Sequence, residues 1–305
     1  MLRIQVDMFS GRPNPEWIIT DRGTAEELLE AVASHEGIAA RPASGYLGLG
    51  FREIRISSLE DEPPERNGVP RDFALASVAA EDFQASGELA LRVVESMAHY
   101  REVQLVAHTL TPLTTELLDL IRQRLREHLA DPPKISCFTW PPYNPLRTTV
   151  RDEHCEKCEY EVSQFNPDFW NAPAVRPHNN CYNYARNWRT DTFAQPGRAH
   201  GAQTSTMACA PVTAAAMADG LLRRCDCLPA AEWPRRLMAL VVDPGWDYHW
   251  YRHQRGGFWG HKPGSTAARN TDNNNVVITD PETCARGGYT DFCGYFYAGR
   301  SVVIN

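Results

Sequence analysis

All nine cysteines of this 305-residue chain lie after residue 136, at positions 137, 155, 158, 181, 209, 225, 227, 284 and 293. The chain therefore has two parts of different chemistry, and its length is enough for two domains. An odd cysteine count in a secreted protein would suggest bridges plus one free thiol. Met1 to Asp7, however, reads as a strand with no signal-peptide core, so a cytoplasmic chain with reduced thiols is expected. A non-classical export route stays open. The formal net charge of -7 argues against a dedicated nucleic-acid binder. No apolar run approaches the length needed to span a bilayer.

The patterning predicts an α+β fold in three stretches: residues 1–130, 131–177 and 178–305. In the first, Leu2 to Asp7 alternates as a half-buried strand does, and Glu16 to Thr20 reads as its return after a Gly/Pro turn. Thr24 is placed to cap a helix running to about His35, with Glu27 as its capping-box partner. Further strands are expected over Tyr46–Ser57, Phe73–Val78 and Glu102–Ala107, and helices over Leu89–His99 and Leu113–Ala130. His35, His99, His108 and His128 are isolated, each reading as a surface or core residue. No catalytic constellation shows in this stretch, and a protein partner docking through it is the one role left open.

Residues 131–177 are rich in proline and aromatics and read as a linker or a wrapped arm. Within them His154, Cys155 and Cys158 form an H-C-x-x-C. That spacing suits a structural zinc, with His154 or Cys137 as a third ligand, or a disulfide, or plain thiols. Plain thiols are the expectation, and no cofactor is called for.

The chemistry gathers in residues 178–305. Asn180 is a good N-cap for a helix from Cys181 to about Thr190. A thiol at a helix start meets unpaired amides and the positive end of the dipole, which favour the thiolate. Further on, Arg236–Asp243 reads as a buried strand, followed by the strand Tyr248–His253 and a Gly256-Gly257 turn. His249, Tyr251 and His253 share one face of that strand, and Tyr248, Trp250 and Arg252 the other. His261, on the return strand, is expected roughly opposite Asp247 to His249, with a residue or two of slippage allowed. Asn275–Thr279 and Tyr295–Ile304 look like closing strands. Cys181 as nucleophile with His249 as base would meet the first demand of cysteine catalysis. His261, Asp247, Asp272 or Asn270 would orient the imidazole, and spacing does not choose among them. A metal held by His249, His253 and His261 is the competing use of the same rings.

Three blocks carry a family likeness: Asn180-Cys181-Tyr182-Asn183-Tyr184-Ala185, Asp247-Tyr248-His249-Trp250-Tyr251-Arg252, and Phe258-Trp259-Gly260-His261-Lys262-Pro263-Gly264. In their order they resemble the papain-like Cys/His superfamily, including CHAP-type amidases and related bacterial peptidases, over about the last 130 residues. The resemblance implies a helix bearing Cys181 packed on an antiparallel sheet, with His249 as the base. The glutamine that papain-type enzymes place before the cysteine is missing. Asn179 or Asn180, with the Cys181 amide, would have to serve the oxyanion. The activity expected on this reading is a cysteine-dependent amide hydrolase or acyl transferase acting on a peptide or peptidoglycan-like substrate. The alternative is a recognition or docking protein that has kept the fold without activity, or a zinc-binding protein.

Overall fold

In a computed structural model, residues 1–59, 68–99, 112–135 and 149–305 are described. The expected strand Glu102–Ala107, His108 and Cys137 lie outside them. The chain divides into two units, residues 1–9 with 13–136, and residues 10–12 with 137–305. Both are α+β, as the patterning predicts.

The first unit is built on β1 (Leu2–Asp7), β2 (Glu16–Ile19), α1 (Arg22–Ala33), β3 (Glu53–Ser58), β4 (Asp72–Leu75), α2 (Phe83–Ser96) and α3 (Thr115–Ala130). Its antiparallel sheet runs β2-β1-β3-β4. The alternation in β1 puts Leu2, Ile4 and Val6 in the core. Asp21, not Thr24, caps α1, its carboxylate accepting the Thr24 amide at 2.7 Å. Asp7 is buried against Arg52 at 2.7 Å and Arg55 at 2.6 Å. Burial alone would raise its pKa, but the two guanidinium groups outweigh it and hold the carboxyl well below the usual range. His128 is a core residue, its Nε2 2.9 Å from the Ala76 carbonyl.

The second unit contains β5 (Thr149–Asp152), β6 (Cys155–Glu161), α4 (Pro167–Asn171), α5 (Cys181–Arg186) and α6 (Cys209–Ala218). These are joined by β7 (Leu222–Arg223), β8 (Arg236–Asp243), β9 (Asp247–Gln254), β10 (Phe258–His261) and β11 (Asp291–Ala298). β5 and β6 form a hairpin, and the main antiparallel sheet runs β10-β9-β8-β11-β7. Leu237 to Val242 in β8 form an unbroken apolar run because both faces of this sheet are covered. On one face Met238, Leu240, Val242, Tyr248, Trp250 and Phe296 pack against α5 and α6.

Three disulfides cross-link this unit: Cys155–Cys225, Cys158–Cys227 and Cys209–Cys293. They overturn the expectation of reduced thiols. They also remove Cys155 and Cys158 as zinc ligands, since a sulfur in a disulfide cannot serve as a thiolate. His154 instead turns its Nδ1 to the Arg224 guanidinium at 2.9 Å. Among the described cysteines, Cys181 and Cys284 are free.

Candidate functional site

α5 begins where Asn180 places it. Its side-chain oxygen accepts the amides of Tyr182 (3.0 Å) and Asn183 (3.2 Å), while the Asn183 oxygen accepts the Asn180 amide at 3.1 Å. The result is a reciprocal capping box. The helix stops at Arg186 rather than Thr190, because Asn187 turns into the left-handed region at φ 57°. The Asn180 Nδ2 group donates to the carbonyls of Gly11 (2.8 Å) and Ala194 (2.7 Å). That of Asn179 donates to the Val175 carbonyl and the Asp191 carboxylate. Both amides are thus engaged in fixing the chain ahead of the helix, and neither is placed as an oxyanion donor.

Cys181 is wholly buried in the apolar cluster with Tyr248 and Trp250. Burial pushes its thiol well above the ordinary value, and the nearby charge of Asp247 adds to the rise. The Trp250 amide and the Lys262 ammonium offset only part of this. The helix start therefore does not supply a thiolate at neutral pH, because desolvation outweighs the few amides of a six-residue helix.

β9 sorts its side chains by alternation. Tyr248, Trp250 and Arg252 meet α5: the Tyr182 and Trp250 rings lie 5.4 Å apart, and Arg252 Nη1 donates to the Tyr184 carbonyl at 2.6 Å. His249 and Tyr251 turn to the opposite face, where the His249 ring contacts Tyr251 (4.8 Å), His261 (5.0 Å) and Tyr289 (6.1 Å). Cys181 thus packs with the Tyr248 and Trp250 side chains, and His249 with those of Tyr251, His261 and Tyr289.

Sequence-predicted His249 and His261 do come together. His261 pairs in register with Tyr251, two residues beyond His249 and within the slippage allowed, and its ring reaches His249 diagonally. His261 Nε2 lies 3.0 Å from the Thr271 carbonyl, which can only accept, so that nitrogen carries the proton. Burial and the charge of Arg269 push the His261 pKa down to about 3. The ring is neutral, its Nδ1 is the acceptor, and His249 Nε2 donates to it at 2.8 Å. The histidine pair is thus a hydrogen-bonded strut from β9 to the loop after β10. His253 stands apart, its Nδ1 3.0 Å from the Tyr160 hydroxyl, so the three rings do not converge as ligands. Among the described residues there is no grouping of three His, Cys, Asp or Glu side chains suited to a metal.

Asp247 does not orient either histidine. It accepts the amides of Ser10 (2.5 Å), Gly11 (3.2 Å) and Arg12 (2.8 Å), and the Tyr289 hydroxyl at 2.6 Å. Burial raises its pKa despite these bonds. Asp272 builds a turn instead, accepting the amides of Asn274, Val276 and Ala285. Lys262 enters the sequence reading only as a member of the Phe258–Gly264 block. It is buried, and its ammonium donates to the carbonyls of Arg176, Asn179 and Gly264. A lone lysine carries no sequence signal for that. The involvement of residues 10–12 had one faint signal, a glycine in a turn, and Gly11 leaves no room for a Cβ beside Tyr248.

The second unit is that of a cross-linked α+β protein in which the Cys181 thiol is buried among apolar side chains and His249 is bonded to His261. No family model matches the chain, and no solved structure does. Over 145 residues the chain is 45% identical to insoluble matrix shell protein 1 of Ruditapes philippinarum, a span covering 47% of this chain and 95% of that protein. The chain belongs to the family of that protein. Its relative is named for an insoluble shell matrix and not for a reaction. With that relationship, the expectation of a cysteine peptidase, amidase or other hydrolase is overturned. The cytoplasmic expectation falls with it, since three disulfides and a shell-matrix relative point to an oxidising, extracellular setting. The expected peptide or peptidoglycan substrate is likewise set aside. No helix among the described residues is long and apolar enough to cross a membrane.

Proposed function

We propose that the chain is a non-catalytic constituent of an insoluble extracellular matrix. The observation that carries this reading is the match that spans nearly the whole of the shell-matrix relative. The three bridges support it, because they stiffen the second unit where thiols are oxidised. Deep burial of Cys181, with its pKa raised, supports it too, because such a thiol is inert.

The test is to fractionate native material into salt-soluble and insoluble parts, then block free thiols before any reduction. The protein should be recovered in the insoluble extracellular fraction with its six paired cysteines protected from alkylation. Recovery in a soluble intracellular fraction with those six cysteines alkylated would refute the reading.

A further inference from the structure

A cavity of about 310 Å³ in the second unit lies away from the histidine pair. It is lined by residues of β5 and β6 together with the β9–β10 turn, among them Arg151, Glu153, Tyr160, His253, Arg255 and Gly257. Its volume is at the small end of ligand sites, enough for one ring-sized polar molecule.

The lining is selective in its chemistry. Two guanidinium groups, Arg151 and Arg255, bring a pair of cationic forks suited to a carboxylate. Arg255 Nε is buried and has no hydrogen-bond partner among the described residues. A buried donor in that state calls for an acceptor supplied from outside. The His253 ring is neutral at pH 7, its pKa pushed down to about 4 by burial and by Arg224. Its Nδ1 lies 3.0 Å from the Tyr160 hydroxyl, and a neutral imidazole can either donate to or accept from a ligand hydroxyl. Glu153 is the odd member, since a carboxylate beside the cavity would repel a simple anion but accepts readily from hydroxyls. Gly256 and Gly257, at φ 105° and 77°, form a turn bare of side chains that lets a ligand approach the backbone closely.

We infer that this cavity holds a hexuronic acid unit of an acidic polysaccharide, its carboxylate on Arg151 and Arg255 and its hydroxyls on Glu153 and His253. The ligand's chemistry comes from the cavity; its being polymer-borne rests on the matrix reading.

The experiment is calorimetric titration of the full oxidised chain with a tetrasaccharide of alternating glucuronate and N-acetylglucosamine. The neutral N-acetylglucosamine tetramer, free glucuronate and acetate serve as controls. Saturable binding of the acidic tetrasaccharide is expected, competed by glucuronate and not by the neutral tetramer or acetate. Arg255→Gln should weaken it at least tenfold, and so should Arg151→Gln, whose exposed position keeps the fold out of question. Glu153→Gln should weaken competition by free glucuronate, and unchanged competition would remove Glu153 from the site. Absence of saturable binding, wild-type affinity in both arginine variants, or equal competition by acetate would each overturn the inference. Matrix fractionation is read separately, so a chain absent from the matrix that still binds the sugar sinks only the functional reading.

Discussion

The two neighbouring bridges, Cys155–Cys225 and Cys158–Cys227, make a quantitative test of what holds the second unit. They join the same two places, three residues apart in β6 and two apart after β7, across sequence separations of 70 and 69. In the chain-entropy account, closing a loop of that length removes about 4.4 kcal/mol of unfolded-state freedom. Once one bridge exists, the second closes only a ring of about six residues, worth about 2 kcal/mol on the same account. Removing either pair by Cys→Ala at both partners should thus cost about 2 kcal/mol, and removing both about 6 to 7 kcal/mol. Cys155 and Cys158 are buried, so packing losses add to each single cost. They add again in the quadruple variant, and the double-mutant cycle cancels them. The coupling of about 2 to 3 kcal/mol is what survives. Urea unfolding followed by tryptophan fluorescence reads this unit, since of the eight tryptophans only Trp17 lies in the first. Single costs that simply sum to the quadruple cost would show that loop closure is not what these bridges contribute.

Three further outcomes follow from particular groups. Lys262→Met should destabilise the second unit by about 3 kcal/mol or more, because three buried carbonyls lose their donor; a loss under 1 kcal/mol in urea would contradict that role. Iodoacetamide at pH 8 should leave Cys181 unmodified in the folded chain and modify it after unfolding, whereas modification of Cys181 ahead of Cys284 would refute its inertness. His128, His253 and His261 have pKa values pushed down to about 4, about 4 and about 3, all below the unfolded value of 6.5. The unfolded chain therefore binds more protons, and stability should fall as pH drops from 6.5 toward 4, by about 3 kcal/mol for His128 alone. Equal urea midpoints at pH 7 and pH 4.5 would refute it.

Local pattern was legible wherever neighbours in sequence decide the structure. Arg236–Asp243 is a strand residue for residue, Asn180 caps its helix, and the face-sorting of β9 holds throughout. The errors come from side chains that override propensity. Asn275–Thr279 is not a strand, because Asp272 gathers the amides of Asn274 and Val276 and Asn275 turns to φ 61°. A single bridge, Thr271 to Val277, is what remains of the expected pairing. Tyr46–Ser57 yields a strand only from Glu53, since Arg52 folds its guanidinium back onto the carbonyls of Gly48 and Gly50. The two neighbouring bridges do have a signal in the sequence. A C-x-x-C and a C-x-C offer two pairs of sulfurs at nearly matched spacing, as two parallel staples require. Cys209 and Cys293 had none, because only the packing of α6 beside β11 brings them together.

Which side chains of β9 meet the helix was not legible in the sequence, and the reason is general. A period of two along β9 says that His249 and Trp250 point to opposite faces; it does not say which face receives the helix. Trp250 and Tyr248 present large apolar surfaces, whereas His249 presents a ring that must keep its nitrogens bonded. A short helix carrying Cys181, Tyr182 and Ala185 buries more apolar area against the former, so the thiol follows the tryptophan and not the imidazole. The histidines then find partners among themselves and the Thr271 carbonyl, which ties down the loop after β10. Thiol and imidazole in the right order along a chain thus do not by themselves make a thiolate, because the apolar packing that buries Cys181 raises its pKa. His261→Leu separates the two uses of that ring. Loss of stability is expected because the bonds of His261 to the Thr271 carbonyl and to His249 are removed, with no change in Cys181 reactivity in the folded chain. A change in the alkylation rate of folded Cys181 in that variant would mean that the imidazoles reach it after all.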